Sequence, residues 1–172
     1  MIAPFRLEAL TVAHDRATFG CGEETLDRYF QTQVTQDIRR NITHCFVAIE
    51  AASGLTAAYY TLASSSIPTP DLSPALTRKL PRYPTIPAVR IGRLAVDRRF
   101  QGRGLAAALL ADAALRTLSA APAAFALVVD AKNDQAVAFY RHHGFIPFLS
   151  APRTLFLPLA TAANAFLVKG KK

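Results

Sequence analysis

Arg99-Phe100-Gln101-Gly102-Arg103-Gly104-Leu105-Ala106 stands between two segments of different periodicity. Ahead of it, Ala88-Val89-Arg90-Ile91-Gly92-Arg93-Leu94-Ala95-Val96 reads as a strand; behind it, Leu105 to Leu118 reads as a strongly apolar helix. Strand, glycine turn and helix in that order suit a phosphate. Glycines at 102 and 104 let backbone N–H groups crowd an anion where a Cβ would clash. The helix adds its unpaired first-turn N–H groups and its positive dipole end, and Arg99 and Arg103 bring full charge. Gly102-x-Gly104-x-x-Ala107 also fits the loose dinucleotide fingerprint. That motif requires an acidic residue about 20 residues on, and Asp130, the nearest strand-end candidate, lies further away. A plain structural glycine turn is the remaining reading.

Outward from this turn, Phe5 to Leu10 reads as a strand. Glu23 to Arg40 reads as an amphipathic helix, with Leu26, Tyr29, Phe30, Val34 and Ile38 at helical spacing. The segments 45–49 and 56–62 flank Ala51-Ala52-Ser53-Gly54, which predicts a β-hairpin. Ser64 to Pro87 is proline-rich, with one short helix around Pro74 to Lys79. Beyond the apolar helix, Ala124 to Val129 reads as a strand and Asp134 to His142 as a short helix. Segments 145–148 and 154–157 read as closing strands. The order predicts an α/β fold, a mixed central β-sheet flanked by helices. With no repeat or linker in 172 residues, residues 1–172 are expected to form a single domain.

The most apolar stretch, Gly104 to Leu115, carries Asp112 and falls far short of the roughly 20 residues that span a bilayer. The first eight residues hold no basic segment followed by an apolar one, so a cytoplasmic protein without a membrane partner is expected. Cys21 and Cys45 lack metal-site spacing; they read as buried, reduced thiols, and no metal is expected. The formal net charge of +8 predicts attraction to polyanions: a nucleic acid, a nucleotide cofactor or an acidic protein segment.

Arg99-x-x-Gly102-x-Gly104 resembles the Arg/Gln-x-x-Gly-x-Gly/Ala signature of the GNAT acetyltransferases. The resemblance implies a GNAT fold and places the pyrophosphate of acetyl-CoA on Arg99, Gln101, Gly102, Arg103, Gly104, Leu105 and Ala106. It also pairs the backbone of Leu94, Ala95 and Val96 with the pantetheine arm. A second stretch, Val129 to Phe145, resembles the other landmark of that family: Asn133 at a helix start and Phe139-Tyr140 near its end. Tyr140 then matches the catalytic tyrosine, Asn133 a contact to the cofactor arm, and Phe139 a residue packed beside it. Amine attack on a thioester expels a thiolate, and a nearby phenol can donate it a proton. Tyr140 also reads as a core-facing tyrosine, and His142 and His143 as helix-end residues favourable near the C-terminal dipole.

Several blocks resemble the GNAT toxins of bacterial toxin–antitoxin modules more narrowly. They are residues 19–30, residues 54–66, Leu80-Pro81-Arg82-Tyr83-Pro84, Gly92-Arg93-Leu94-Ala95-Val96-Asp97 and residues 153–161. The resemblance implies acetylation of the α-amine of charged tRNA, inhibition of translation, a homodimer and a ribbon-helix-helix antitoxin as partner. The residues suit that chemistry. No Glu or Asp lies on the strand 88–96, and Asp97 sits at its end; histidines or water remain as candidate bases. A lysine amine, at about 10.4, needs a base more than an α-amine at about 7.7–8.0. Arg78, Lys79, Arg82, Arg90 and Arg93 are candidate tRNA-binding residues, with Arg98 and Arg141 nearby and a basic tail of Lys169, Lys171 and Lys172. Aromatic stacking on bases is limited to Tyr83 and, less readily, Tyr59 or Tyr60. A second reading is an acetyltransferase for a small-molecule amine or a protein N-terminus. A third is a DNA- or antitoxin-binding module without turnover.

Overall fold

The computed structural model describes residues 4–169, with side chains as far as residue 164. Lys171, Lys172 and the side chain of Lys169, the expected basic tail, lie outside the described residues. Seven strands hydrogen-bond in the order β1-β2-β3-β4-β5-β7-β6. They are β1 (Phe5–Ala9), β2 (His44–Glu50), β3 (Thr56–Pro68), β4 (Thr85–Val96), β5 (Ala126–Asp130), β6 (Ile146–Pro147) and β7 (Thr154–Pro158). The helices are α1 (Glu24–Arg28), α2 (Val34–Arg39), α3 (Pro74–Thr77), α4 (Leu105–Ser119), α5 (Asp134–His142) and α6 (Leu159–Lys169). The sheet is mixed: β1–β2, β2–β3, β5–β7 and β6–β7 are antiparallel. The chain divides into two compact units, Met1–Ala63 with Ile91–Asp112, and Ser64–Arg90 with Ala113–Lys172.

The first unit is organised by aromatic side chains. Phe30 stacks on Tyr59 with ring centroids 4.3 Å apart, and Phe19 meets both edge-on at 5.0 and 5.4 Å. Val34, Cys45, Val47 and Ile49 complete this core. The expected helix 23–40 is present with one difference: Tyr29–Gln33 forms a π-turn between α1 and α2. The wider turn brings Tyr29, Phe30 and Val34 to the core together. It also leaves carbonyls without their usual i+4 donors, and the Arg16 guanidinium donates to Phe30 O at 3.1 Å and Gln31 O at 3.4 Å. Tyr59 and Tyr60 are fully buried, which removes both as base-stacking candidates. Cys45 is buried and Cys21 half-buried; both are free thiols, pushed by burial up to about 12 and about 11.

In the second unit Ile67, Leu72, Ile86, Ala88, Val128, Phe148 and Phe156 pack together. The proline-rich stretch is more regular than its composition predicts, because β3 runs on to Pro68 and β4 begins at Thr85. Exposure alternates in both additions, with Ile67, Ile86 and Ala88 inward and Ser64, Ser66, Thr85 and Pro87 outward. Asp71 ties the loop down: its side chain accepts from the Ser150 N–H at 3.0 Å and from the Ser150 hydroxyl, and its carbonyl from the Leu149 N–H at 3.1 Å. Helix α6 has no counterpart in the sequence reading.

Candidate active site

Asp97 follows the last residue of β4, is 2% exposed and caps the 3₁₀ turn Arg98–Phe100. Each carboxylate oxygen of Asp97 holds one backbone and one guanidinium N–H. Oδ1 accepts from Arg99 N and Arg99 Nε, both at 2.9 Å. Oδ2 accepts from Gly20 N and Arg99 Nη2, both at 3.0 Å. Burial pushes the Asp97 carboxyl up, but Arg99 and these N–H donors outweigh it and hold the group below its ordinary value. Asp97 is therefore a fixed anion, a poor proton acceptor. The charge of Arg99, the signature arginine, is balanced by Asp97, so its first task is to shape the turn. Gln101 works the same way, its amide donating to Cys21 O at 3.0 Å and Val96 O at 2.9 Å. Arg98 lies against Gly22, where its Nε stands 3.2 Å from the position a Cβ would take.

Gly102 and Gly104 have φ of +80° and +79°, the left-handed region. A Cβ at either would meet no protein atom within 4 Å, so φ, rather than crowding within the protein, is what demands glycine. Gly104 O accepts from Ala108 N at 3.2 Å, the first bond of α4. The N–H groups of Leu105, Ala106 and Ala107 consequently have no intrahelical acceptor. Leu105 is buried and seats the helix end, while Arg103 is exposed and leans over Phe100 at 5.4 Å. Left-handed glycines, a helix N-terminus and an exposed arginine fit a phosphate-bearing ligand. Leu94, Ala95 and Val96 precede this turn on β4 in the same unit; nearby, Arg93 N donates to the Thr61 hydroxyl at 3.1 Å.

In the second unit Asn133 caps α5, its side-chain oxygen accepting from Ala136 N at 2.8 Å. At the other end of α5, Tyr140 O accepts from His143 N at 3.0 Å and Phe145 N at 3.1 Å. Gly144 turns the chain there with φ +92°. The half-buried Tyr140 ring is set edge-on to Phe139 at 5.3 Å and Phe145 at 5.4 Å. Burial pushes its phenol above the ordinary tyrosine value, with a smaller contribution from the Asp130 charge. Tyr140 is therefore held protonated at neutral pH, the state a proton donor needs. His142 and His143 sit at the helix end with their rings 86° apart.

The candidate tRNA contacts separate. Arg90 is ion-paired with Asp130, which also accepts from the Thr154 hydroxyl at 2.8 Å. The guanidinium carbon of Arg93 lies over the Tyr29 ring, 3.4 Å from its centroid, in a cavity of about 490 Å³ bordered by Thr25, Arg28 and Gln33. Arg78 and Arg82 line a groove of about 590 Å³ with Thr69, Thr77 and Tyr83, and Lys79 is exposed beside Arg78. Asp97 and Asp71 are the organising residues that the sequence reading left without a role; a carboxylate two residues from an arginine, Asp97-x-Arg99, is the signal for the first. Among the described residues no group of His, Cys, Asp and Glu is placed to hold a metal ion. No helix among them is long and apolar enough to cross a membrane.

An acetyltransferase (GNAT) domain matches residues 82–154, from the Tyr83 loop through the glycine turn to Tyr140. The tRNA-acetylating toxin of Mycobacterium tuberculosis is 36% identical over 77% of this chain and 79% of its own length. The solved structure of AtaT complexed with acetyl-methionyl-tRNAfMet superimposes with a TM-score of 0.87 at 34% identity, over 94% of this chain and 99% of that one. A mutant AtaT toxin bound to the C-terminus of the antitoxin AtaR and to acetyl-CoA gives a TM-score of 0.79 at 30% identity, over 95% and 99%. The chain belongs to the GNAT acetyltransferases, in the family of the tRNA-acetylating toxins.

Proposed function

We propose that this protein is the toxin of a toxin–antitoxin pair, an enzyme that uses acetyl-CoA to acetylate the α-amine of aminoacyl-tRNA and so blocks translation. The observation that carries the reading is similarity over nearly the whole chain to AtaT, solved with acetyl-methionyl-tRNA. Acetyl-CoA supplies an acetyl thioester whose sulfur departs as a thiol. Its phosphates are assigned to the backbone of Gly102, Gly104, Leu105 and Ala106 with Arg103, and its arm to Leu94, Ala95, Val96, Asn133 and Phe139. Arg99 and Gln101 hold that turn in shape through Asp97, Cys21 and Val96.

Tyr140 is assigned as the proton donor to the departing sulfur. Even an ordinary phenol, at about 10, is about 1.5 units weaker than a thiol at about 8.5, an uphill transfer of about 2 kcal/mol. Burial of Tyr140 adds to that gap. The transfer is balanced when the attacking nitrogen, acidified as it bonds to the carbonyl carbon, returns its surplus proton to the tyrosinate directly or through water. No carboxylate base is then required, in keeping with an α-amine already partly neutral at pH 7. Arg78, Lys79, Arg82, Arg90 and Arg93 are assigned to the tRNA backbone, with Arg90 acting beside Asp130. A substrate used in translation places the enzyme in the cytoplasm. A homodimer and a ribbon-helix-helix antitoxin complete the proposal.

Cell-free translation tests it. Adding the protein with acetyl-CoA should stop synthesis, and omitting acetyl-CoA should restore it; unimpeded synthesis with acetyl-CoA present overturns the reading.

A further inference from the structure

Of the five tyrosines, Tyr29, Tyr59 and Tyr60 are buried and Tyr140 is half-buried. Tyr83 alone is held out, 61% exposed. Its backbone is fastened on both sides. Tyr83 N donates to Pro81 O at 2.9 Å, the Thr69 hydroxyl donates to Tyr83 O at 2.5 Å, and Thr69 N donates to Pro84 O at 3.1 Å. Pro81 and Pro84 fix φ on either side of the Arg82-Tyr83 pair. With its backbone already held, Tyr83 has only side-chain rotamer freedom to lose on binding. Among the described residues its ring touches no other ring or cation.

Charge around it is one-sided. Arg78 and Arg82 line the same groove, and Lys79 is exposed next to Arg78. Among the described residues none of these three forms an ion pair. Elsewhere Arg28, Arg90, Arg99 and Arg153 are each matched to a carboxylate. An exposed ring on a held backbone amid unpaired cations is the arrangement that single-stranded nucleic acid uses, with a base on the ring and phosphates on the cations.

We propose that Tyr83 is a stacking platform for one unpaired nucleotide of the acceptor RNA, with Arg78 and Arg82 on the flanking phosphates. This rests on the tRNA reading above and narrows it: the groove takes the single-stranded 3′ segment next to the aminoacyl ester, not the paired stem. Two fluorescent RNA hairpins with the same stem, one blunt and one with a four-nucleotide 3′ overhang, test it by anisotropy. The wild-type protein should bind the overhang hairpin more tightly. Tyr83→Ala should weaken that complex about 5- to 100-fold, the range for losing one stacked base, and change the blunt one less than twofold. Tyr83→Trp should retain the preference. Arg82→Ala should weaken the overhang complex more than the blunt one and flatten its salt dependence. Because the ring is exposed, thermal unfolding should be unchanged in the tyrosine variants.

Retention of the overhang preference in Tyr83→Ala, or equal loss on both hairpins, overturns the platform. So does a Tyr83→Ala defect confined to binding an acidic antitoxin peptide. Acetylation of charged tRNA by the wild-type protein is scored separately. Its failure removes the enzymatic reading, whereas the hairpins judge the platform on their own.

Discussion

Replacing Asp97 by Asn tests whether the glycine turn hangs from this carboxylate. The side chains are nearly the same shape, but Asn offers one acceptor oxygen where Asp offers two. Each Asp97 oxygen holds one backbone and one guanidinium N–H. Whichever way the Asn amide flips, one backbone N–H and one guanidinium N–H face its NH₂ group. A buried donor left unsatisfied costs about 1–3 kcal/mol. The Arg99 side chain is 44% exposed and can turn to water, so its share is about 0–1 kcal/mol. The expected loss is about 1–4 kcal/mol, or roughly 2–16 °C in Tm for a chain of this length. Urea unfolding at pH 7 reads the first figure and calorimetry the second. The folded carboxyl is depressed, so its contribution is present above the unfolded value of about 3.9 and fades as pH falls through the folded value. The gap between wild type and Asp97→Asn should therefore close in acid. A loss below about 0.5 kcal/mol at pH 7, or a gap that stays constant down to pH 2, refutes this reasoning.

Tyr140→Phe should lower kcat at least about 100-fold, the low end for a lost general acid, with acetyl-CoA affinity by calorimetry unchanged; equal turnover ends the proton-donor assignment. Because burial raises the Tyr140 phenol, acetylation rate should climb through the pKa of the α-amine and hold level to pH 9.5, and an alkaline decline before then contradicts a protonated phenol. Gly104→Ala should cost about 1–2 kcal/mol of stability from its left-handed φ and raise the KM for acetyl-CoA about tenfold or more. An unchanged KM removes the phosphate from this turn.

Local signals carried much of the fold. Helix α5 spans Asp134–His142 as expected, because Asn133 is a strong cap and Gly144 a clear terminator. The apolar runs 45–49 and 56–62 on either side of Ala51-Ala52-Ser53-Gly54 likewise located the hairpin β2–β3. Composition misled at Ser64-Ser65-Ser66 and at Pro87, where strand pairing and the inward side chains of Ile67, Ile86 and Ala88 outweigh weak intrinsic strand preference. The π-turn was illegible, since Tyr29, Phe30 and Val34 suit an ordinary helix until Arg16 supplies donors from outside it. Helix α6 follows β7 without a break, from Pro158 to Leu159, so no turn residue marks its start. At the turn the glycines were legible because a left-handed φ favours that residue type. The use of Arg99 was not, because a charged side chain does not announce whether its partner is ligand or protein, and Asp97 decides that only in three dimensions.

The most direct test of the central claim incubates the protein with acetyl-CoA and total charged tRNA, then releases and identifies the aminoacyl ends by mass spectrometry. An added acetyl group on the α-nitrogen of one or a few aminoacyl species is the predicted result. Unmodified aminoacyl ends throughout, with acetyl-CoA binding verified in the same sample, would contradict it.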